Sequence, residues 1–137
     1  MIEIQPHAIT PELKQRIQEG FAQHAQATIG YDEKLEPISF VATYEGEFAG
    51  AIVIALFWGA LHLKYLYVEE AQRSLGIGTR LLQEACEYGR AHFCPFIFVE
   101  TMSFQALDFY RKGGFQLEYT RPGYSHGTSF HYLRKDL

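Results

Sequence analysis

Between Leu61 and Phe93 the apolar residues change their period, and the change falls on a pair of glycines. Up to Val68 the side chains alternate one by one, with Leu61, Leu63, Tyr65 and Tyr67 on one face and His62, Lys64, Leu66 and Val68 on the other, as in a strand. From Ile77 onward, Leu81, Leu82, Ala85, Cys86, Gly89 and Phe93 recur at helical spacing and form a wide apolar stripe. Gly76 and Gly78 stand at the junction. A strand that runs into an amphipathic helix has to bury one face of each, which commits the chain to helices packed on a sheet. The junction also carries chemistry. Without Cβ atoms, two glycines at a helix N-terminus let backbone N–H groups converge, and the helix dipole adds partial positive charge. Such a turn is a cradle for a phosphate or pyrophosphate.

The remaining segments fit the same scheme. Thr10-Pro11-Glu12 is a helix start, with a hydroxyl cap, proline in the first turn and an acid beside it. Leu13, Ile17 and Phe21 then recur every fourth residue, giving one apolar face that ends near Ala25. Ala27 to Pro37 is irregular. Ile38, Phe40, Ala42 and Tyr44 alternate with Ser39, Val41 and Thr43 before a turn at Glu45-Gly46, and Phe48 to Phe57 is a longer apolar strand turned at Trp58-Gly59. Pro95 closes the helix that starts near Gly76, and Phe96 to Val99 reads as a short buried strand. Phe104 to Lys112 is helical again and stops at Gly113-Gly114, the second of which suits a left-handed cap. Phe115 to Thr120 and Ser129 to Arg134 close the chain as strands around the loop Arg121 to Gly127. The order predicts an α/β (α+β) sheet with helices on it. No repeat, low-complexity tract or linker interrupts the sequence, so residues 1–137 are expected to form a single domain.

Composition narrows the function. The 137 residues are 47 % hydrophobic and 20 % charged, ordinary for a globular chain and too apolar for a disordered one. A net charge of −4 argues against a nucleic-acid partner, because neutralising phosphates takes a surplus of Lys and Arg. Cys86 and Cys94 do not form a CxxC pair, and no other thiol exists to complete a zinc cluster, so no metal is expected and both read as buried free thiols. The N-terminus lacks the basic start and apolar run of a signal peptide. No stretch approaches the ~20 apolar residues of a membrane span, which predicts a cytoplasmic protein without a membrane partner. Phe 11, Tyr 9 and Trp 1 exceed the needs of one small core, and some rings are expected to line a pocket.

Three phosphate-binding loops compete for Arg73-Ser74-Leu75-Gly76-Ile77-Gly78-Thr79. A P-loop requires a lysine after its second glycine, and none follows Gly78 at that spacing. A dinucleotide fingerprint requires a third small residue, where Leu81 stands. The third is an [RQ]xxGxG/A pyrophosphate loop, which the segment matches. With its neighbours, the segment resembles the GNAT family of N-acetyltransferases. Tyr65-Leu66-Tyr67-Val68 looks like that family's central strand, and Arg73 to Thr79 with the helix to His92 looks like its acetyl-CoA signature. Ala106-Leu107-Asp108-Phe109-Tyr110-Arg111-Lys112-Gly113-Gly114-Phe115 looks like its AxxFYxKxGF segment. The resemblance covers roughly Leu61 to Tyr119. It implies the GNAT fold, a mixed, mostly antiparallel sheet of about six or seven strands with a splayed parallel pair, flanked by about four helices.

By the same resemblance, acetyl-CoA is the co-substrate and lies where the central strand parts from its parallel neighbour. The backbone of Leu66, Tyr67 and Val68 would hold the pantetheine arm, and the amides of Leu75, Gly76, Ile77, Gly78 and Thr79 the pyrophosphate. Arg73 and Arg80 would add charge or serve as solvated helix-start charges. Ala106 and Phe109 belong to the cofactor segment. Ser103 stands where the family often has asparagine, which alters one pantetheine contact, since a hydroxyl offers fewer donors and acceptors than an amide. Tyr110 occupies the family's general-acid position and would protonate the departing thiolate. His62 falls where histone-type members carry a glutamate base and has a suitable intrinsic pKa, with a water chain or Glu100 as substitutes.

Acceptor specificity in the family comes from the first helices, their loop and the final hairpin. Here Tyr31, Trp58, Tyr65, Tyr124 and His126 would form an aromatic wall suited to a cation or planar ring, or belong to cores and interfaces. Glu33, Glu36, Glu45 and Glu47 would attract a polyamine or lie as solvated turns. The short chain leaves little room for a peptide groove, which favours a small-molecule amine over a protein lysine. The implied activity is N-acetyl transfer from acetyl-CoA to a small primary amine. The alternatives are a non-catalytic acyl-CoA-binding module and a peptide acetyltransferase. Dimers are common in the family, and a homodimer is within what the resemblance implies.

Overall fold

A computed structural model describes residues 1–33 and 36–137. Contacts divide the chain into two compact units that meet in sequence between residues 34 and 35. The first is built on α1 (Pro11–Ile29). The Thr10 hydroxyl accepts from the Leu13 N–H at 3.1 Å, Pro11 opens the first turn, and Gly30 closes the helix at φ 70° with its N–H on the Gln26 carbonyl. The helix thus runs a full turn past Ala25, to the first residue able to adopt the left-handed cap cheaply. Of the expected irregular segment Ala27–Pro37, residues up to 29 are helical and positions 34 and 35 lie outside the described residues.

The second unit carries β1 (Ile38–Tyr44), β2 (Glu47–Phe57), β3 (Ala60–Val68), α2 (Ile77–Ala91), β4 (Phe96–Met102), α3 (Leu107–Lys112), β5 (Gln116–Arg121) and β6 (Phe130–Asp136). The six strands form one sheet in the order β1-β2-β3-β4-β6-β5. Every pairing is antiparallel except that of β3 with β4, which is parallel and holds at only Leu61–Ile97 and His62–Phe98. Six strands and a splayed parallel pair match the expectation; the described residues hold three α-helices rather than about four.

The core lies under α2. Ile52, Ile54, Leu61, Leu63, Ile97 and Leu133 are essentially inaccessible, and Leu81, Leu82, Ala85 and Cys86 of α2 close over them. Each such side chain contributes roughly 1.5–3 kcal/mol when fully buried. Two helix boundaries differ from the sequence pattern. α2 ends at Ala91, because the Cys94 N–H folds back to the Gly89 carbonyl at 2.9 Å and Phe93 takes φ 59°. Phe93 is therefore off the apolar stripe and exposed. α3 begins at Leu107 rather than Phe104, since the Gln105 carboxamide oxygen accepts from the Met102 N–H at 2.8 Å and turns residues 103–106 first.

Three ladders carry register shifts, and the one in β3 decides on which face His62 falls. In the β2–β3 ladder Val53 opposes Tyr65 and Ile54 opposes Leu63, so Lys64 is an extra residue, a β-bulge. Strict alternation puts His62 on the face of Leu66 and Val68; the bulge resets the parity. Leu61, Leu63 and Leu66 all join the core cluster, while His62 lies on the opposite face with Phe98 and Phe57. That face is paved with rings. Phe57, His62, Phe98 and Phe96 pack in sequence, with Arg134 3.8 Å above Phe96; Tyr119, Tyr132 and Phe130 continue along β5 and β6, and Tyr124 of the loop between them packs beside Phe130. Much of the aromatic content is thereby placed: apart from Tyr110 and Phe115 the fully buried core is aliphatic, and a large share of the rings serves the other side of the sheet.

Candidate active site

Below the His62–Phe98 rung β3 and β4 no longer pair, so the β4-facing backbone groups of β3 meet no ladder partner. A cavity of about 460 Å³ occupies this opening, lined by Leu66, Tyr67 and Val68 of β3, Arg73 and Gly78, the turn Phe104-Gln105-Ala106, and Phe109 and Tyr110 of α3. A second hollow of about 290 Å³ shares Val68, Arg73, Gly78 and Phe109 with it and continues over Gly76, Ile77 and Thr79. Together they make a trough from the sheet opening to the N-terminus of α2.

Local conformation explains why glycine is needed there. Gly76 caps α2 at φ 80°, which an L side chain adopts only at a cost of roughly 1 kcal/mol or more. Gly78 is constrained by space: a Cβ there would stand 3.3 Å from the Phe109 ring and 3.6 Å from Val68. A third glycine, Gly50, shapes the strand edge. A Cβ on Gly50 would lie 2.6 Å from the Tyr67 carbonyl oxygen, so β2 can approach the end of β3 only with hydrogen at that position. Arg73 lies over the opening with its Nε–H donated to the Val68 carbonyl at 3.1 Å.

Tyr110 is the most deeply buried ionisable side chain in the lining of the trough. It is 5 % exposed, wedged edge-on between Phe109 and Phe115, and still lines the cavity. Burial pushes its phenol up to about 12, because the apolar surroundings disfavour the phenolate. At neutral pH it therefore holds its proton, as a donor to a developing anion must.

Of the positions singled out in the sequence, Leu66, Tyr67, Val68, Arg73, Gly76, Ile77, Gly78, Thr79, Ala106, Phe109 and Tyr110 line the trough. Leu75 turns its half-exposed side chain into a different groove, along β1 and α2. Ser103 is engaged elsewhere: its hydroxyl accepts from the Ser129 N–H at 3.0 Å, and its own N–H reaches the Ser129 carbonyl at 2.8 Å, tying the turn to the start of β6. Phe104 and Gln105 take the lining positions instead, which the helix expected from Phe104 concealed. His62 is outside the trough, on the aromatic face, with Nε2 2.7 Å from Glu100 Oε2. Glu100 borders a hollow of about 370 Å³ on that face, with Phe57, Trp58, Phe98, Tyr132 and Arg134. Trp58 and Tyr124 of the expected aromatic wall are on or beside this face, but most of its rings (Phe57, Phe96, Phe98, Tyr119, Phe130 and Tyr132) went unread, because alternating rings look like core. Among the described residues no cluster of His, Cys, Asp and Glu is arranged to hold a metal ion, and no helix is long and apolar enough to cross a membrane.

A splayed parallel pair with a glycine-bounded trough in the opening is an architecture this chain shares with known acetyltransferases. The chain belongs to the acetyltransferase (GNAT) family, whose model matches residues 6–115. Blasticidin-S acetyltransferase of Streptomyces morookaense is 38 % identical over 106 residues, covering 74 % of this chain and 78 % of that protein. An acetyltransferase of Bacillus cereus solved by crystallography superposes with a TM-score of 0.83 at 26 % identity, over 98 % of both chains. The fold is also shared, at TM-score 0.69 and 24 % identity, by a crystal structure from Bacillus anthracis described as a streptothricin acetyltransferase in complex with acetyl coenzyme A; the match covers 80 % of this chain and 67 % of that one.

Proposed function

We propose that the chain acts as one acetyltransferase domain that moves an acetyl group from acetyl-CoA directly to a primary amine of a small molecule. The observation that carries this reading is the position of Tyr110, a protonated phenol on the wall of the same trough that the free edge of β3 and Gly78 border. The trough suits the cofactor, since a Cβ at Gly78 would intrude on it and the unpaired strand edge offers amides and carbonyls to a polar arm. Leu66, Tyr67 and Val68 would hold the pantetheine amides, and the backbone from Leu75 to Thr79 would receive the pyrophosphate. Ala106 and Phe109 would flank the arm.

In the reaction the acceptor nitrogen bonds to the thioester carbon, and the carbon–sulfur bond then breaks with its electron pair going to sulfur. Tyr110 donates its hydroxyl proton to that sulfur. An alkylamine titrates near pH ~10 and arrives charged, so it first gives one proton to His62 or to water, which frees the attacking lone pair. The second proton leaves the nitrogen after attack and restores the Tyr110 hydroxyl through water. A small-molecule acceptor is supported by the name of the 38 % identical relative and by the ring-lined hollow beside Glu100.

Calorimetric titration with acetyl-CoA and CoA, followed by a thiol-release assay over a panel of amines that includes blasticidin S, tests this. Micromolar binding with thiol release on one amine class is expected. Tight binding with no release from any amine would favour an acyl-CoA-binding module, and no binding would remove the reading.

A further inference from the structure

We infer that Glu100 is a positioning residue: it fixes the proton of His62 on Nε2 and so leaves Nδ1 as the nitrogen that accepts the proton of the incoming amine. The inference rests on the acyl-transfer reading above and adds to it a partner, a tautomer and an atom.

His62 and Phe98 form the last rung of the parallel pair, and Glu100 stands two residues further along β4, on the same face. There its carboxylate meets the imidazole, with 2.7 Å between Oε2 and Nε2. An ionised carboxylate only accepts, so the hydrogen in that bond belongs to the ring. A neutral imidazole has one N–H, and with Nε2 committed the lone pair is on Nδ1. The described residues give Nδ1 no hydrogen-bond partner. Two rings hold the imidazole in place: Phe98 stacks on it at 4.6 Å and 3°, and Phe57 meets it at 6.4 Å and 66°. With the ring plane fixed by stacking and one nitrogen fixed by a carboxylate, His62 has the support that a carboxylate gives a histidine base in a Ser-His-Asp triad. The location matters too. The pair sits at the rung where the sheet opens, so it flanks the cleft from the face opposite α2 while the trough enters from the α2 side. In the step itself the acceptor nitrogen gives its proton to Nδ1, the ring becomes an imidazolium whose Nε2–H remains on Glu100, and the extra proton is then released to water.

A plain tie between strand ends is the competing role, and it would act on stability alone. Two measurements on the full chain separate them. Long-range ¹H–¹⁵N correlation spectra at pH 7.5 should show His62 as the neutral Nε2–H tautomer, and Glu100→Gln should abolish that preference, because a carboxamide can donate as well as accept. In steady state, Glu100→Gln should lower kcat about 10- to 100-fold with the KM for acetyl-CoA and the unfolding midpoint nearly unchanged. Glu100→Asp should restore part of the loss, and the double variant His62→Ala/Glu100→Gln should be no slower than His62→Ala alone. A wild-type ring protonated on Nδ1, or on both nitrogens, overturns the inference. So does a Glu100→Gln penalty that persists in the His62→Ala background, or one confined to stability. A wild-type protein that binds acetyl-CoA but releases no thiol with any amine overturns the acyl-transfer reading and the task given to Nδ1, and the spectrum then decides the proton assignment alone.

Discussion

Tyr110 and Gly78 face one trough and make opposite demands on it, one for a protonated hydroxyl and one for nothing beyond hydrogen. Tyr110→Phe keeps the ring between Phe109 and Phe115 and removes only the acid. CoA binding should remain within about tenfold while kcat falls by a factor on the order of 10² or more, read by calorimetry and thiol release. The same residue leaves a mark on stability. Its folded pKa of about 12 is above the ordinary tyrosine value of 10.0. Below pH 10 the phenol is neutral in both states and its contribution is complete. As pH rises from 10 through 12 the unfolded chain releases the proton first, and that contribution, up to about 3 kcal/mol, is lost. Urea unfolding at several alkaline pH values should therefore show a steeper decline for the wild type than for Tyr110→Phe. At Gly78 the first added carbon already touches Phe109. Gly78→Leu should abolish acetyl-CoA binding in the same titration while the chain still unfolds cooperatively.

Among the elements, β3 carries the decisive irregularity. Its bulge lets one strand present leucines to α2 before and after Lys64 while turning His62 to the aromatic side. Deleting Lys64 would restore plain alternation and force either His62 into the core or Leu66 out of it. A loss of several kcal/mol is expected in urea unfolding, whereas Lys64→Ala, which keeps the count and trims an exposed side chain, should stay within about 0.5 kcal/mol. The contrast also marks what a sequence can disclose. The Thr10 cap, the glycine junction and the stripe of α2 are local signals, each confined to neighbouring residues, and all were readable. A bulge is an extra residue defined only against a partner strand, so -Leu63-Lys64-Tyr65- carries no sign of it. The His62–Glu100 bond joins positions 38 apart in sequence and depends on parallel pairing. Most lining residues of the trough were legible because the motif is contiguous; the aromatic face was not, because it is assembled from four strands.

At the level of the whole molecule, both thiols are sealed. Cys86 and Cys94 are 3 % and 5 % exposed, and burial pushes the Cys86 thiol up, away from the reactive thiolate. A thiol reagent should modify them only as fast as the fold opens, and acetyl-CoA at a hundred times its Kd should add about 2.7 kcal/mol of protection and slow that labelling. Gly78→Leu should gain none of it. The two-rung contact of β3 with β4 bears on this as well. Mechanically the sheet is a pair of three-stranded leaves, β1-β2-β3 and β4-β6-β5, stitched along a short seam. Pulled apart across that seam, the leaves have two rungs and the packing of α2 to resist with. Anything that bridges from the free edge of β3 to α3 lengthens the seam. The co-substrate would then be a strut as well as a reagent, and the protein would stiffen each time it loads and soften each time spent CoA departs.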